Sequence, residues 1–173
     1  MTISMYQSSA PIVVRALQNL SHVLEKGAAQ LRDGGRDPDE MLGLRIVDDM
    51  LPLSRQVQIA TDMAKNGVAR LAGVDPIRIA DDETSYEQLQ ARIARVIAYV
   101  RDFTAEQVDG SESRRIVVPS TAAGELLFDG QDYLLGFVLP NLYFHITVAY
   151  TLLRQAGVPI GKLDYMGVGA KRD

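Results

Sequence analysis

The sequence predicts an all-α fold, a four-helix bundle with one small β-hairpin between its third and fourth helices. Three observations lead there. Four long stretches repeat apolar residues at i, i+3, i+4 and i+7, the spacing that gathers one face of a helix. The connections between them are short, as in bundles. One pair of β-prone runs interrupts the helical pattern. The 173 residues suit a single domain, 1–173, able to bury roughly two-thirds of its unfolded surface.

The first helix is expected from Ser9 to Leu31, on the stripe Ile12, Val13, Ala16, Leu17, Leu20, Val23, Leu24, Ala28 and Leu31. Ser9 suits the N-cap, Pro11 falls in the first turn where its missing N–H costs little, and Gly34-Gly35 stop the helix. At about 100° per residue, His22 lies roughly 200° from Leu20, away from the core and on the surface. Asp37-Pro38-Asp39-Glu40 opens a short helical turn or loop, followed by Met41 to Met50. The second long helix runs from about Pro52, or a little earlier, to Leu71 and is closed by Gly73. Its buried stripe is Leu53, Ala60, Met63, Ala64, Gly67 and Leu71, with Gln56 inside it. A helix reaching back through Pro52 would add Asp49 and Arg45 to the same face. The small residues Ala60, Ala64 and Gly67 allow a close helix approach or a cavity.

Asp75-Pro76 begins a loop carrying Asp81, Asp82 and Glu83. Thr84-Ser85-Tyr86-Glu87 reads as a capping box, the Glu87 carboxylate returning to the cap N–H. The third helix follows, with Tyr86, Leu89, Ile93, Val96, Ile97, Val100 and Phe103 as its core face and Arg92, Arg95 and Arg101 as a solvated flank. The acidic run complements the positive end of that helix; its spacing is wrong for an EF-hand calcium loop. Arg114–Val118 and Glu125–Phe128, joined through Pro119 to Gly124, make the hairpin (about 114–128). The last helix spans about Gln131 to Ala156, kinked at Pro140. Gly157-Val158-Pro159 ends it, and a C-terminal tail, 157–173, packs back.

Composition narrows the function. A content of 47% hydrophobic and 23% charged residues is ordinary for a globular protein, and a net charge of −4 gives no electrostatic reason to expect nucleic acid. Zero cysteines exclude disulfides, thiolate ligands and a cysteine nucleophile. With only His22 and His145 present, one chain cannot supply a three-histidine metal site. Met1–Ala10 lacks the basic start and apolar run of a secretion signal, so the expected compartment is the cytoplasm. The uncharged run Tyr133–Leu153 is long enough to span a membrane. Pro140, Asn141 and His145 at its centre would be costly in lipid, so it reads as a buried bundle helix with no membrane partner.

That run also holds the candidate site. On the stripe formed by Leu134, Phe137, Val138, Leu142, Val148, Ala149, Leu152 and Ala156, Asn141 and His145 fall near the centre, one turn apart. Burying an unpaired amide or imidazole costs about 1–3 kcal/mol, so partners are required, and Gln56 is the obvious one. One reading is a core hydrogen-bond network, Asn141–His145–Gln56, that fixes register and binds nothing. The other is a small pocket for a small molecule in which His145 is ligand or catalytic base. A metal held only by His145, Asn141 and Gln56 would be weak, since neutral amides are poor transition-metal donors. Asp49 would improve the set if the helix runs back that far; Arg45 and Asp49, at i and i+4, read more simply as an ion pair.

The stretch Pro140-Asn141-Leu142-Tyr143-Phe144-His145 through Leu153-Arg154-Gln155-Ala156-Gly157-Val158-Pro159-Ile160-Gly161-Lys162, with Asp49-Met50-Leu51-Pro52-Leu53, Gln56 and Ala69-Arg70-Leu71-Ala72-Gly73, resembles the domain of unknown function one-nine-nine-three, a family of the DinB/YfiT-like metalloenzyme superfamily. The resemblance spans nearly the whole chain. It implies an up-down-down-up four-helix bundle, a homodimer, and a divalent metal such as Ni or Zn held by three histidines. One of these comes from the second helix and two from an H-x-x-x-H pair followed by arginine and glycine at the end of the fourth. Registering that pattern on Arg154 and Gly157 puts His145 at the second histidine of the pair and Asn141 at the first. Gln56 is the candidate for the second-helix position. The resemblance thus implies a degenerate site; thiol-dependent transferases or isomerases are the chemistry of some superfamily members.

Overall fold

Helix forms wherever the sequence repeats its apolar stripe. In the computed structural model, which describes residues 3–120 and 124–168, the elements in order are α1 (Met5–Ser8), α2 (Ala10–Asp33), a 3₁₀ turn (Pro38–Met41), α3 (Leu53–Leu71), α4 (Tyr86–Arg101) and α5 (Ala105–Val108). Strands β1 (Arg115–Ser120) and β2 (Gly124–Asp129) follow, then α6 (Gly130–Asp132), a π-helical segment (Tyr133–Val138), α7 (Leu139–Gln155) and α8 (Lys162–Met166). The fold is mostly helical. The expected turn residues 121–123 and the tail residues 169–173 lie outside the described residues.

Both α2 and α3 pack on α4 and α7, closing one core around Leu17, Leu20, Leu53, Leu89, Ile93, Leu142 and Leu152, all fully buried. Each such side chain contributes about 1.5–3 kcal/mol of burial. The antiparallel hairpin turns Ile116 and Val118 inward, opposite Phe128 and Leu126. The ends of α2, α3 and α7 share one device. The amides of Arg36, Val74 and Val158 return to the carbonyls of Leu31, Ala69 and Leu153. Gly35, Gly73 and Gly157, all at positive φ, supply the left-handed residue this closure needs.

Several local expectations are corrected. Helix α3 begins at Leu53, not earlier, because the preceding chain folds back over its first turn: Leu53 and Ser54 N–H donate to the carbonyls of Leu44 and Leu42. Ser9 caps nothing with its side chain; its hydroxyl donates backwards to Met5 O at 2.7 Å. The capping box of α4 sits one residue later than expected, with Ser85 and Gln88 exchanging bonds, while Glu87 is left outside to pair with Arg32 at 3.4 Å. Around Pro140 the helix does not simply kink. The Leu139 N–H donates to Leu134 O, five residues back, a π-type widening in the turn that leads into the proline. The widened turn pushes Val138 onto Gly67, where a Cβ would stand 2.6 Å from Val138 Cγ1. The small-residue stripe of α3 thus serves close helix approach there.

The largest departure is Arg92. It is no solvated flank but 3% exposed. Its Nε donates to Thr61 Oγ1 (2.7 Å), Nη1 to Ala80 O (2.8 Å) and Glu83 (2.9 Å), and Nη2 to Asp62 (2.8 Å), with Asp81 a further 2.9 Å ion partner. Arg55 pairs with Asp81 at 2.7 Å and Lys65 with Asp62 at 3.2 Å. The acidic run that seemed to serve the helix dipole instead neutralises a buried guanidinium. One stretch, Gly130–Gln155, passes the length and composition test for a membrane span; here its buried side chains pack on α2 and α3.

Replacing Arg92 with Met leaves Glu83 without a cation partner and Asp62 and Asp81 with only Lys65 and Arg55. The variant is expected to lose about 3–5 kcal/mol, the cost of breaking a buried ion pair from one side. Urea denaturation, read from the midpoint at constant slope, measures it.

Candidate functional site

Three segments meet at one end of the core: the chain before α3, the first turn of α3 and the middle of α7. Gln56, in that first turn, is 2% exposed. Its Nε2 donates to Leu51 O at 3.0 Å, which leaves its Oε1 facing His145 Nδ1 at 2.7 Å. An amide oxygen only accepts, so Nδ1 carries the proton, and the lone pair of the neutral ring sits on Nε2. Burial pushes the His145 pKa below its ordinary value, which favours that neutral form. The ring is half-buried, with Phe144 edge-on at 5.2 Å. Chemically this is an oriented imidazole whose tautomer is set from behind, able to accept a proton or hydrogen bond, or to donate one lone pair to a cation.

The other expected members are elsewhere. Asn141 does not reach into the pair: its Nδ2 donates to Phe137 O at 2.7 Å, satisfying a carbonyl at the π-helical widening, and the residue is partly exposed. Asp49 and Arg45 lie in the turns before α3, both exposed. Their place on the helix face required a helix running back through Pro52, and the fold-back of the chain removes it. No ion pair joins them; the Arg45 guanidinium donates to the Met50 carbonyl instead. His22 stands on α2, 40% exposed and 3.5 Å from Asp164. The concavities described are lined by other side chains than Gln56 and His145. One lies beside Gly27, Met41 and Leu153, another beside Arg15, Tyr143 and Tyr165.

No group of three or more His, Asp or Glu side chains capable of holding a metal exists among the described residues. The donors near His145 fit a resident divalent metal poorly. Gln56 Oε1 is committed to Nδ1, and Asn141 to a backbone carbonyl. What remains is one nitrogen, where Zn or Ni sites call for three or four ligands.

The comparisons agree with this architecture. The family described as Domain of unknown function (DUF1993) matches residues 5–166. A crystal structure of a DinB family member protein from Shewanella denitrificans is 35% identical, with a TM-score of 0.86 over 97% of this chain and 94% of that one. No curated protein matches. The matched span takes in all four long helices and the hairpin between them, and the chain belongs to that domain-of-unknown-function family, DUF1993, within the DinB-like superfamily.

Proposed function

We propose that this domain keeps the DinB framework, four helices in up-down-down-up order, but has exchanged the metal centre for a single-histidine site. At it, His145 Nε2 receives a weakly acidic O–H or N–H of a small molecule, as base or hydrogen-bond acceptor. The observation that carries this reading is the Gln56 Oε1 contact with His145 Nδ1 at 2.7 Å. It orients the ring and fixes its tautomer, the part a carboxylate or carbonyl plays behind a working histidine. A divalent Ni or Zn would find only Nε2 and would be held weakly. The net charge of −4 speaks against nucleic acid as a partner, and the family framework favours a homodimer.

A second reading is favoured by one contact. Gln56 also holds Leu51 O, so the chain His145–Gln56–Leu51 ties α7, α3 and the preceding connection together and can be purely structural. His145→Ala separates the two. A structural network predicts a loss of about 1–3 kcal/mol with nothing else changed; a site predicts a small stability loss together with loss of small-molecule binding, followed by ligand-observed NMR against a fragment set.

Titration of His145 by nitrogen-detected NMR should show protonated Nδ1, bare Nε2 and a midpoint below about 6.5. The unfolded chain then takes up the proton first as pH falls. The contribution of His145 to stability should therefore be lost on going from about pH 6.5 down through its folded pKa, and be flat above. Gln56→Glu, which sets a carboxylate beside Nδ1, should raise the midpoint by about one to three units. A midpoint unmoved by that change would mean the contact is absent in solution. Elemental analysis of tag-free protein is expected to find Ni and Zn far below stoichiometric. A full equivalent lost in His145→Ala would overturn the poor-fit argument.

A further inference from the structure

Away from the His145 pair, a concavity of about 170 Å³ opens between α2, α7 and α8. Its apolar base is Ala16 and Ile146, both buried; Tyr143 and Tyr165 line it from α7 and α8, and Arg15 stands exposed on α2 at its edge. The short helix α8 is braced against α2 and α7, so the cleft is preformed. Lys26 Nζ holds Asp164 at 2.6 Å, the Tyr165 hydroxyl meets Thr147 Oγ1 at 2.9 Å, and the rings of Tyr150 and Tyr165 meet edge-on at 5.6 Å.

Two donors there have no strong acceptor. Among the described residues Arg15 has no carboxylate partner; its one contact is the Met166 carbonyl at 3.5 Å, the outer limit of a hydrogen bond. The nearest acidic group on α8, Asp164, is already taken by Lys26 and by the Gly161 N–H at 2.7 Å. The Tyr143 hydroxyl, from a side chain 40% exposed, has no hydrogen-bond partner among the described residues. Arg15, Tyr143 and Tyr165 line the same concavity.

A guanidinium offers only donors, and the phenol O–H can add another. A ligand that completes them must present anionic acceptor oxygens, and the fork of an arginine matches a carboxylate best. The apolar base asks for a compact hydrocarbon body, and a cavity near 150 Å³ is of the size that takes a benzene ring. We propose that this cleft binds a small aromatic monocarboxylate, its carboxylate paired with Arg15 and hydrogen-bonded by Tyr143, its ring on Ala16 and Ile146. The proposal is independent of the His145 reading.

Benzoate is the probe and benzyl alcohol the uncharged control, titrated into the intact protein at fixed ionic strength by calorimetry and methyl-detected NMR. The expected result is benzoate binding with shifts at the methyls of Ile146, Ala16 and Met166, and benzyl alcohol weaker by about tenfold or more. Arg15→Gln should cost about tenfold in affinity and Tyr143→Phe several-fold, with unchanged melting temperatures, since both side chains are exposed. Equal affinity for the two probes, equal affinity of wild type and Arg15→Gln, or shifts confined to other parts of the protein would each overturn the proposal.

Discussion

A guanidinium sealed between helices constrains everything around it. Arg92 sits at 3% exposure, and burial by itself would lower its pKa; the hydrogen bond it donates to Glu83 and the charges of Asp62, Glu83 and Asp81 reverse that and raise it. The compensation comes from different segments: Asp62 and Thr61 from α3, Asp81, Glu83 and the Ala80 carbonyl from the connection 72–85. An uncompensated buried charge costs several kcal/mol, so α4 cannot slide on α3, nor can the connection lift, without breaking several charged bonds together. Three carboxylates around one cation would overshoot, and Arg55 and Lys65 correct the balance. Burial alone would raise the Asp81 carboxyl; Arg55 and Arg92 more than offset it and hold it low.

The opposite side of α3 is governed by a different constraint, the missing N–H of Pro140. The helix carries one widened turn just before it, and the Asn141 side chain donates to the Phe137 carbonyl there. The same widening puts Val138 against Gly67, where any larger residue would force the two segments apart. Asn141 is therefore spent on backbone repair, and its neighbour one turn later is left with Gln56 alone. The composition of the candidate site is thus partly a consequence of where the proline lies.

Much of this was legible in the sequence. Spacing alone gave the long helices, the hairpin and their glycine-closed ends, because those depend on periodicity and on local backbone freedom. The inward aim of Gln56 and His145 was also legible, since an apolar stripe that includes a polar residue must bury it. Arg92 was not: a long charged side chain beside a core face has the same spacing whether it reaches water or carboxylates, and its partners lie 9 to 31 positions away. Asn141 misled for a related reason. Helical spacing assumes a regular helix, and the π-helical segment changes which carbonyl is within reach just where the asparagine lies. Asp49 and Arg45 failed with the helix boundary, which is set by the Leu42 and Leu44 carbonyls capping α3, a tertiary contact with no local signature.

A glutamine rather than a histidine at position 56 has a definite chemical sense on the proposed reading. A histidine there would offer a ring nitrogen to a metal; a glutamine offers an oxygen to a neighbouring N–H and, through its other end, anchors itself to Leu51 O. Behind a metal-bound imidazole one normally finds such an acceptor, which sets the tautomer and strengthens the nitrogen on the far side. Here Gln56 does what the group behind a ligand does. The surviving imidazole is held with one nitrogen protonated and the other bare, its cationic form disfavoured by burial. A neutral, oriented nitrogen base needs those three conditions, and a metal is not among them.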